Sequence, residues 1–422
     1  MTEQLKLKLN DSKATRWGAL VIVAFTMMAA YYVNDVVAPL KTMLETDLAW
    51  SSTDFGFFTG GYSFLNVFFL MLIWGGLILD RFGIRFTGKL ATILMVGGTA
   101  LEYYAMTGLA GADATLFGIN EIFGYKTGVF VAFAGYSIFG VGAEVAGITV
   151  SKIIAKWFKG KELATAMGVQ VALARIGSQA GYAVAIPLAR AFGISTPVLL
   201  GLVLLLGGMI AFFVFAVMDK KLDKQMEAAA IAAGTEDEEE KFSFKDVKNI
   251  LVNPGFWLIA LLCVLFYSCV FPFQKFASEL MIIKYGINEN VAGTFAGLPA
   301  LGALILTPVF GGFIDKRGKS ASIMLLGSAM LICVHFIYAI PDINYWLVAI
   351  VLMIILGIAF SLVPSAMWPA VAKIFPVSQL GTAYALIFFI QNIGLWGIPT
   401  LIGWVLDAYC ISGKKPDGTN MY

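Results

Sequence analysis

The sequence predicts an all-α membrane protein made of two pseudo-symmetric helical bundles, and three observations carry that prediction. Hydrophobic residues fill 59% of the 422 positions and charged ones only 13%, with a mean hydropathy of +0.83. Water-soluble domains of this length do not reach that balance. Apolar runs of about 20 residues, enough to cross a hydrocarbon layer about 30 Å thick, recur along the chain. A glycine- and aspartate-containing turn after the second run returns after the eighth, so the chain reads as two related halves, as in many secondary transporters.

Taken in order, residues 1–16 form a polar tail with Lys6, Lys8, Lys13 and Arg16, which argues against a cleaved signal peptide. Six spans follow at 17–40, 53–79, 86–108, 128–153, 163–188 and 196–218, making 17–218 an N-terminal six-helix bundle. Residues 219–254 read as a solvated linker, with an acidic run from Thr235 to Glu240. Spans at 256–283, 291–314, 320–340, 345–372 and 380–406 make 255–422 the C-terminal bundle, eleven spans in all. Lysine and arginine gather in the tail, at Arg81, Arg85 and Lys89, at Lys156 to Lys161, in the linker, and at Lys316, Arg317 and Lys319. The opposite loops are poorer in bases, so this side and the N-terminus are predicted cytoplasmic.

Several function classes are disfavoured. No basic patch interleaved with aromatics points to nucleic acid. Cys263, Cys269, Cys333 and Cys410 are scattered, with neither a disulfide framework nor a metal site indicated. The single histidine, His335, lies in an apolar run and reads as a packed helix residue. No zinc-protease motif, serine–histidine pairing or carboxylate dyad appears, so neither an enzyme nor a cofactor is expected.

Two charges stand where a membrane helix should have none. Glu144 is 12 residues before Lys156 and Arg175 is 14 residues after Lys161. At the helical rise both come to roughly 18 to 21 Å from the basic turn, near mid-membrane. An unpaired charge there costs at least about 2.5–3.5 kcal/mol and faces a partner or a wet cavity. One reading is a salt bridge between consecutive helices. The other is a two-ended site for a zwitterion, with ammonium on Glu144 and carboxylate on the planar fork of Arg175. Tyr31, Tyr267 and Gln391 fall at similar depth, each able to bond either a substrate or a neighbouring helix. Lys275 and Glu279, near the outer end of their span, read as an ion pair on one helix face. Gly168, Gly177 and Gly181 read as close-packing positions.

The repeat is Gly76-Leu-Ile-Leu-Asp80-Arg81-Phe-Gly83, returning as Gly311-Gly-Phe-Ile-Asp315-Lys316-Arg317-Gly318. This pattern resembles the loop motif of the major facilitator superfamily. The resemblance implies a conformational latch at Gly76, Asp80, Arg81, Gly83, Arg85, Asp315, Lys316 and Gly318. Phe139 to Glu144, Lys156 to Leu163, Ala174 to Ser178, Trp368-Pro369, Gln379 to Tyr384 and Gln391 to Leu395 narrow it further. They look like the lysosomal dipeptide transporter family, the group of major facilitator superfamily domain-containing protein 1. That resemblance implies that Glu144 holds a peptide amino group and Arg175 its carboxylate. It also implies that Trp368 lines the site or an inner gate, against the reading of Trp368 as an interfacial anchor.

The expectation is a secondary transporter that moves dipeptides or similar short zwitterions by alternating access, as a uniporter. The alternative is a carrier of organic anions or other small solutes, with proton coupling open. Expected partners are a dipeptide-like substrate and membrane lipid, with an accessory membrane subunit undetermined. The family has twelve spans, so a missing twelfth by truncation is expected. The N-terminal tail lacks the family's dileucine sorting signal, so the address is a plasma or inner membrane in a prokaryote, and lysosomal only if the family's address holds.

Overall fold

In hydrocarbon each backbone N–H and C=O must be satisfied internally, and this chain meets the demand with helices almost throughout. The computed structural model describes residues 8–111, 114–159, 161–233, 244–375, 377–414 and 420–422. The first half contains α1 (Lys13–Val36), α2 (Lys41–Leu48), α3 (Ser52–Phe68), α4 (Met71–Thr107), α5 (Thr127–Trp157), α6 (Leu163–Phe192) and α7 (Thr196–Ala233). The second contains α8 (Phe244–Val252), α9 (Pro254–Ile283), α10 (Glu289–Ala296), α11 (Leu298–Arg317), α12 (Ser320–Ala339), α13 (Trp346–Ile374) and α14 (Val377–Tyr409). Two-residue strands pair as antiparallel hairpins, β1 (Glu121–Ile122) with β2 (Tyr125–Lys126) and β3 (Gly413–Lys414) with β4 (Asn420–Met421).

All eleven predicted spans fall on helix. Among the described residues eight helices are long and apolar enough to cross a membrane, or nine if a bent pair counts as one span. That pair is α3 and α4, which meet at 58°. The predicted span 53–79 therefore breaks at Phe69 and Leu70, where Leu70 turns left-handed with φ 54°. The turn between the second and third predicted spans lies inside α4 at Gly83, with φ 75° and ψ 173°. That backbone is open to glycine and strained for other residues.

Helix starts follow local chemistry. Ser51 and Asp54 form a reciprocal capping box on α3, with bonds of 3.0 and 2.9 Å. Asn253 caps α9 by accepting from Gly255 N at 2.8 Å, with Pro254 in the first turn. Among the described residues two large apolar cores result, with a small third one around Ile314, Ile323, Leu362 and Ala366. The first joins mainly α1, α3, α4, α5, α6 and α7, and the second mainly α9 to α14. Within the first, α6 lies directly on α1: a Cβ at Gly181 would stand 2.9 Å from the Tyr32 carbonyl oxygen, and one at Gly177 would strike the Met28 carbonyl. At these two positions the small-residue packing expected from the sequence is present. Gly168 has no such neighbour.

The segment read as a solvated linker begins as a helix that buries Asp219 and Leu222 and exposes Lys220, Lys221 and Lys224. α7 continues through Asp219, which is fully buried and accepts from Lys156 Nζ at 2.7 Å, Trp157 Nε1 at 3.0 Å and Arg85 Nη1 at 3.2 Å. Three donors make burial of one carboxylate tolerable. The acidic run 235–240 lies outside the described residues.

The halves meet mainly toward one end, called here the hairpin end because β1 and β2 mark it. Lys41 Nζ, 1% exposed, donates to Glu45 at 2.5 Å and across the halves to Glu279 at 2.6 Å. Lys275 Nζ donates to Asp35 Oδ1 at 3.2 Å. The expected ion pair along α9 is thus replaced by bonds from Lys275 and Glu279 to the first half. Tyr182 Oη donates to the Gln274 carbonyl at 3.3 Å, Thr53 N donates to Asp407 Oδ2 at 2.6 Å, and Arg190 pairs with Glu289. At the opposite, basic end, no ion pair or hydrogen bond among the described residues joins the halves.

Candidate functional site

The site is built where α1, α3, α5 and α6 face α9 and α13. Glu144, on α5, is half-buried and accepts a 3.0 Å hydrogen bond from Tyr62 Oη of α3. Arg175, on α6, is half-buried, with its guanidinium 5.5 Å from the Tyr31 ring centre and 5.1 Å from that of Phe360. Each such contact contributes about 0.5–2 kcal/mol, more as water is excluded. Among the described residues the acid and the base do not pair with each other. Tyr31 of α1 lies within the electrostatic reach of both. The arrangement offers a hydrogen-bond acceptor for a cation and a planar donor for an anion, neither cancelled by the other.

Phe360 continues the wall into the second half. It meets Tyr267 edge-on at 6.4 Å and Phe271 at 5.4 Å. Tyr267 Oη accepts from Trp368 Nε1 at 3.2 Å, and Trp368 stacks on Phe388 at 4.8 Å. Tyr384 Oη donates to the Trp368 carbonyl at 3.1 Å. Tyr31, Arg175, Tyr267 and Trp368 therefore share one continuous aromatic path through Phe360. Gln391 stands behind it: it is buried, and its Oε1 accepts from Cys263 Sγ at 3.4 Å, one turn along α9 from Tyr267.

With this geometry in place, comparison with known proteins is direct. A model of the Major Facilitator Superfamily matches residues 20–397. The chain belongs to that superfamily. It is 29% identical over 409 residues to the lysosomal dipeptide transporter MFSD1 of Homo sapiens, an alignment covering 94% of this chain and 81% of the relative. Its fold is similar to that of a bacterial homolog of the human lysosomal transporter Spinster in an inward-facing, unoccupied conformation, with TM-score 0.66 and 16% identity over 94% of this chain and 84% of that one. It is also similar to a D-xylose-proton symporter, with TM-score 0.64 and 16% identity over 94% and 91% of the two chains.

Among the described residues the first copy of the loop motif keeps its bonds inside the first half. Asp80 accepts from Lys152 Nζ of α5 at 3.0 Å, both exposed. Arg81 lies over the neighbouring Phe82 ring at 5.5 Å. Arg85 pairs with Asp219 and Asp223 of α7. Gly76 is half-buried with open space beside it, and Gly83 forms the kink. In the repeat, Gly318 has φ 67° and ends α11 just after the exposed Lys316. The Asp315 side chain lies outside the described residues.

Sequence reasoning missed Tyr62, Phe360, and the pairs made by Asp35 and Lys41. Phe360 carries no polar signal that could separate it from any buried phenylalanine. Tyr62 could have been found as a hydroxyl within an apolar run. Glu102 was missed as well, although it is an acid inside the third predicted span and the rule that singled out Glu144 could have found it.

Proposed function

We propose that this protein is a secondary carrier, not an enzyme, that moves dipeptides or similarly short zwitterions by alternating access. The observation that carries the reading is that Glu144 and Arg175 are present in one interior as separate, unpaired poles. A free amino terminus docks on Glu144, beside the Tyr62 hydroxyl. A carboxylate takes the fork of Arg175, which the Tyr31 and Phe360 rings hold flat. Side chains of the substrate lie along the aromatic wall of Tyr267 and Trp368, where stacking is tolerant of identity, and Gln391 closes the back of that wall. Similarity to MFSD1 supports the dipeptide class and uniport.

The cycle rocks residues 17–218 against 255–422, with the basic end facing the cytoplasm by its excess of lysine and arginine. The motif residues Gly76, Asp80, Arg81, Gly83, Arg85, Asp315, Lys316 and Gly318 act as a latch that engages the second half only when the basic end closes. That accounts for an Asp80 whose ion pair among the described residues is with Lys152 of the first half, in a conformation whose hairpin end is joined.

A thermal-shift screen with dipeptides, N-acetylated dipeptides and free amino acids tests the clamp. Dipeptides raise the melting temperature of the wild type. Arg175→Ala loses the shift for every ligand, and Glu144→Gln loses it only for ligands with a free amino terminus. An organic-anion carrier gives the opposite for Glu144→Gln, with binding retained whatever the amino terminus. Equal shifts for blocked and free dipeptides in the wild type would discard the ammonium role of Glu144.

A further inference from the structure

Glu102, on α4, is the acid that the substrate site leaves unused. Its side chain is 0% exposed, and neither carboxyl oxygen has a hydrogen-bond partner among the described residues. A carboxylate in that position would be an uncompensated buried charge, among the costliest states a protein can hold.

The groups that face it explain why no donor is available. From α9 comes Lys275, a cation within its electrostatic reach. An ammonium has three protons, and those of Lys275 are directed at the Asn34 carbonyl, at Asp35 Oδ1 and at Tyr136 Oη. From α5 comes Tyr136, whose own hydroxyl donates to the Asn34 carbonyl at 2.7 Å. From α1 come Asp35 and Asn34, and beyond Tyr136 lies Tyr182 of α6, which donates to the Gln274 carbonyl. Lys275, Tyr136 and Tyr182 thus direct their protons elsewhere, and among the described residues no donor reaches either Glu102 oxygen, so in this conformation the Glu102 carboxyl carries its own proton.

We propose that Glu102 is a proton-binding site that is loaded when the hairpin end closes and unloaded to the same compartment when that end opens. Opening draws α9 from α1 and breaks the Lys275–Asp35 pair. Water then reaches Glu102 and Lys275 is released toward it, so the carboxyl gives up H⁺ to that water and the carboxylate gains a cation. Closure reverses each step. Because Glu102 is sealed in the closed form, the proton returns to the side it came from. Transport remains uniport, but acid on the hairpin side favours the form joined there. This rests on the alternating-access reading above and not on the identity of the substrate.

The experiment uses full-length protein in lipid nanodiscs without substrate, with spin labels on Asn120→Cys and Asn344→Cys, and Cys269, Cys333 and Cys410 replaced by serine. In the otherwise wild-type protein the short label-to-label distance gives way to a longer one as pH rises. The ratio of the two changes about tenfold per pH unit near the midpoint, as one proton requires. In Glu102→Gln the short distance persists at every pH, while Asp35→Asn retains a pH response. A wild-type distribution that ignores pH, or one that Glu102→Gln leaves unchanged, overturns the proposal. A second readout needs no variant: the infrared C=O stretch of a buried protonated carboxyl must be present in the closed form and fade as the distance lengthens, and its absence from the closed form is equally fatal. Dipeptides that fail the thermal-shift screen while the pH response stands would remove the substrate assignment and leave the proton site. The reverse result would remove the proton site alone.

Discussion

At the hairpin end the charged groups pair across the two halves and are buried, whereas at the basic end, among the described residues, they pair within the first half, and there the loop motif's own Asp80–Lys152 pair stays wet although Asp219 is buried. Lys41, 1% exposed, is enclosed by Glu45 and Glu279 with side chains 6% and 8% exposed. Its counterpart at the other end, Lys152 with Asp80, is 39% and 65% exposed. Breaking a buried pair strands an unpaired charge and costs about 3–5 kcal/mol, while an exposed pair contributes about 0–1 kcal/mol. The conformation seen is therefore fixed at one end only. The basic end is less tied, and among the described residues the first copy of the loop motif sits on that end without a bond across the halves.

The largest effect should come from Lys41. Lys41→Met leaves two buried carboxylates facing one another, at a cost of about 3–5 kcal/mol. The expected outcome is a clearly lower melting temperature and a lengthened distance across the hairpin end in the labelled protein. The matched change Lys152→Met should move neither quantity by more than about 1 kcal/mol equivalent. Comparable losses from both would mean that the ends do not differ as their burial indicates.

Next in size is packing. A Cβ on Gly403 of α14 would stand 2.9 Å from the Ser52 carbonyl carbon and 3.2 Å from Gly56 Cα of α3. Overpacking of this kind costs about 1–3 kcal/mol, so Gly403→Ala should wedge the halves apart and lower thermal stability. Gly76, on the latch, has nothing within 4 Å of such a Cβ. Gly76→Ala should leave stability unchanged or raise it by up to about 1 kcal/mol through a more restricted unfolded chain. A destabilising Gly76→Ala would show that the basic end is packed as tightly as the hairpin end.

The same contrast explains what was legible in the sequence. Apolar runs report burial in lipid, so every predicted span falls on helix. An isolated charge in such a run reports a polar interior, which is how Glu144 and Arg175 were found. The break at Leu70 left no comparable mark, because a left-handed leucine between Phe69 and Met71 looks like any apolar triplet. Cross-half bonds were unreadable for another reason. Lys275 and Glu279 sit four apart on one helix, so local spacing favours a pair along α9, and only tertiary placement shows Asp35 and Lys41 reaching them. Asp219 was misjudged likewise, since a charge that follows a span looks solvated until Arg85, Lys156 and Trp157 converge on it.

The smallest effect lies in the N-terminal segment at the basic end and tests how little an exposed pair there matters. Lys161 Nζ donates to Asp11 Oδ1 at 2.8 Å and the Lys8 N–H donates to Oδ2 at 2.9 Å. The lysine bond first, and then the backbone bond, hold the Asp11 carboxyl below the ordinary carboxylate range. A depressed folded-state pKa means that the contribution is fully present above the unfolded value, about 3.9, and is lost as pH falls through the folded value. The group is exposed and screened, so the contribution is a few tenths of a kcal/mol and below about 1 kcal/mol. Thermal unfolding of wild type and Asp11→Asn should therefore differ slightly at about pH 6 and converge below about pH 3. A gap that persists undiminished into acid would trace to the helix start itself, where Asp11 closes the turn before Ser12 caps α1, and not to its charge.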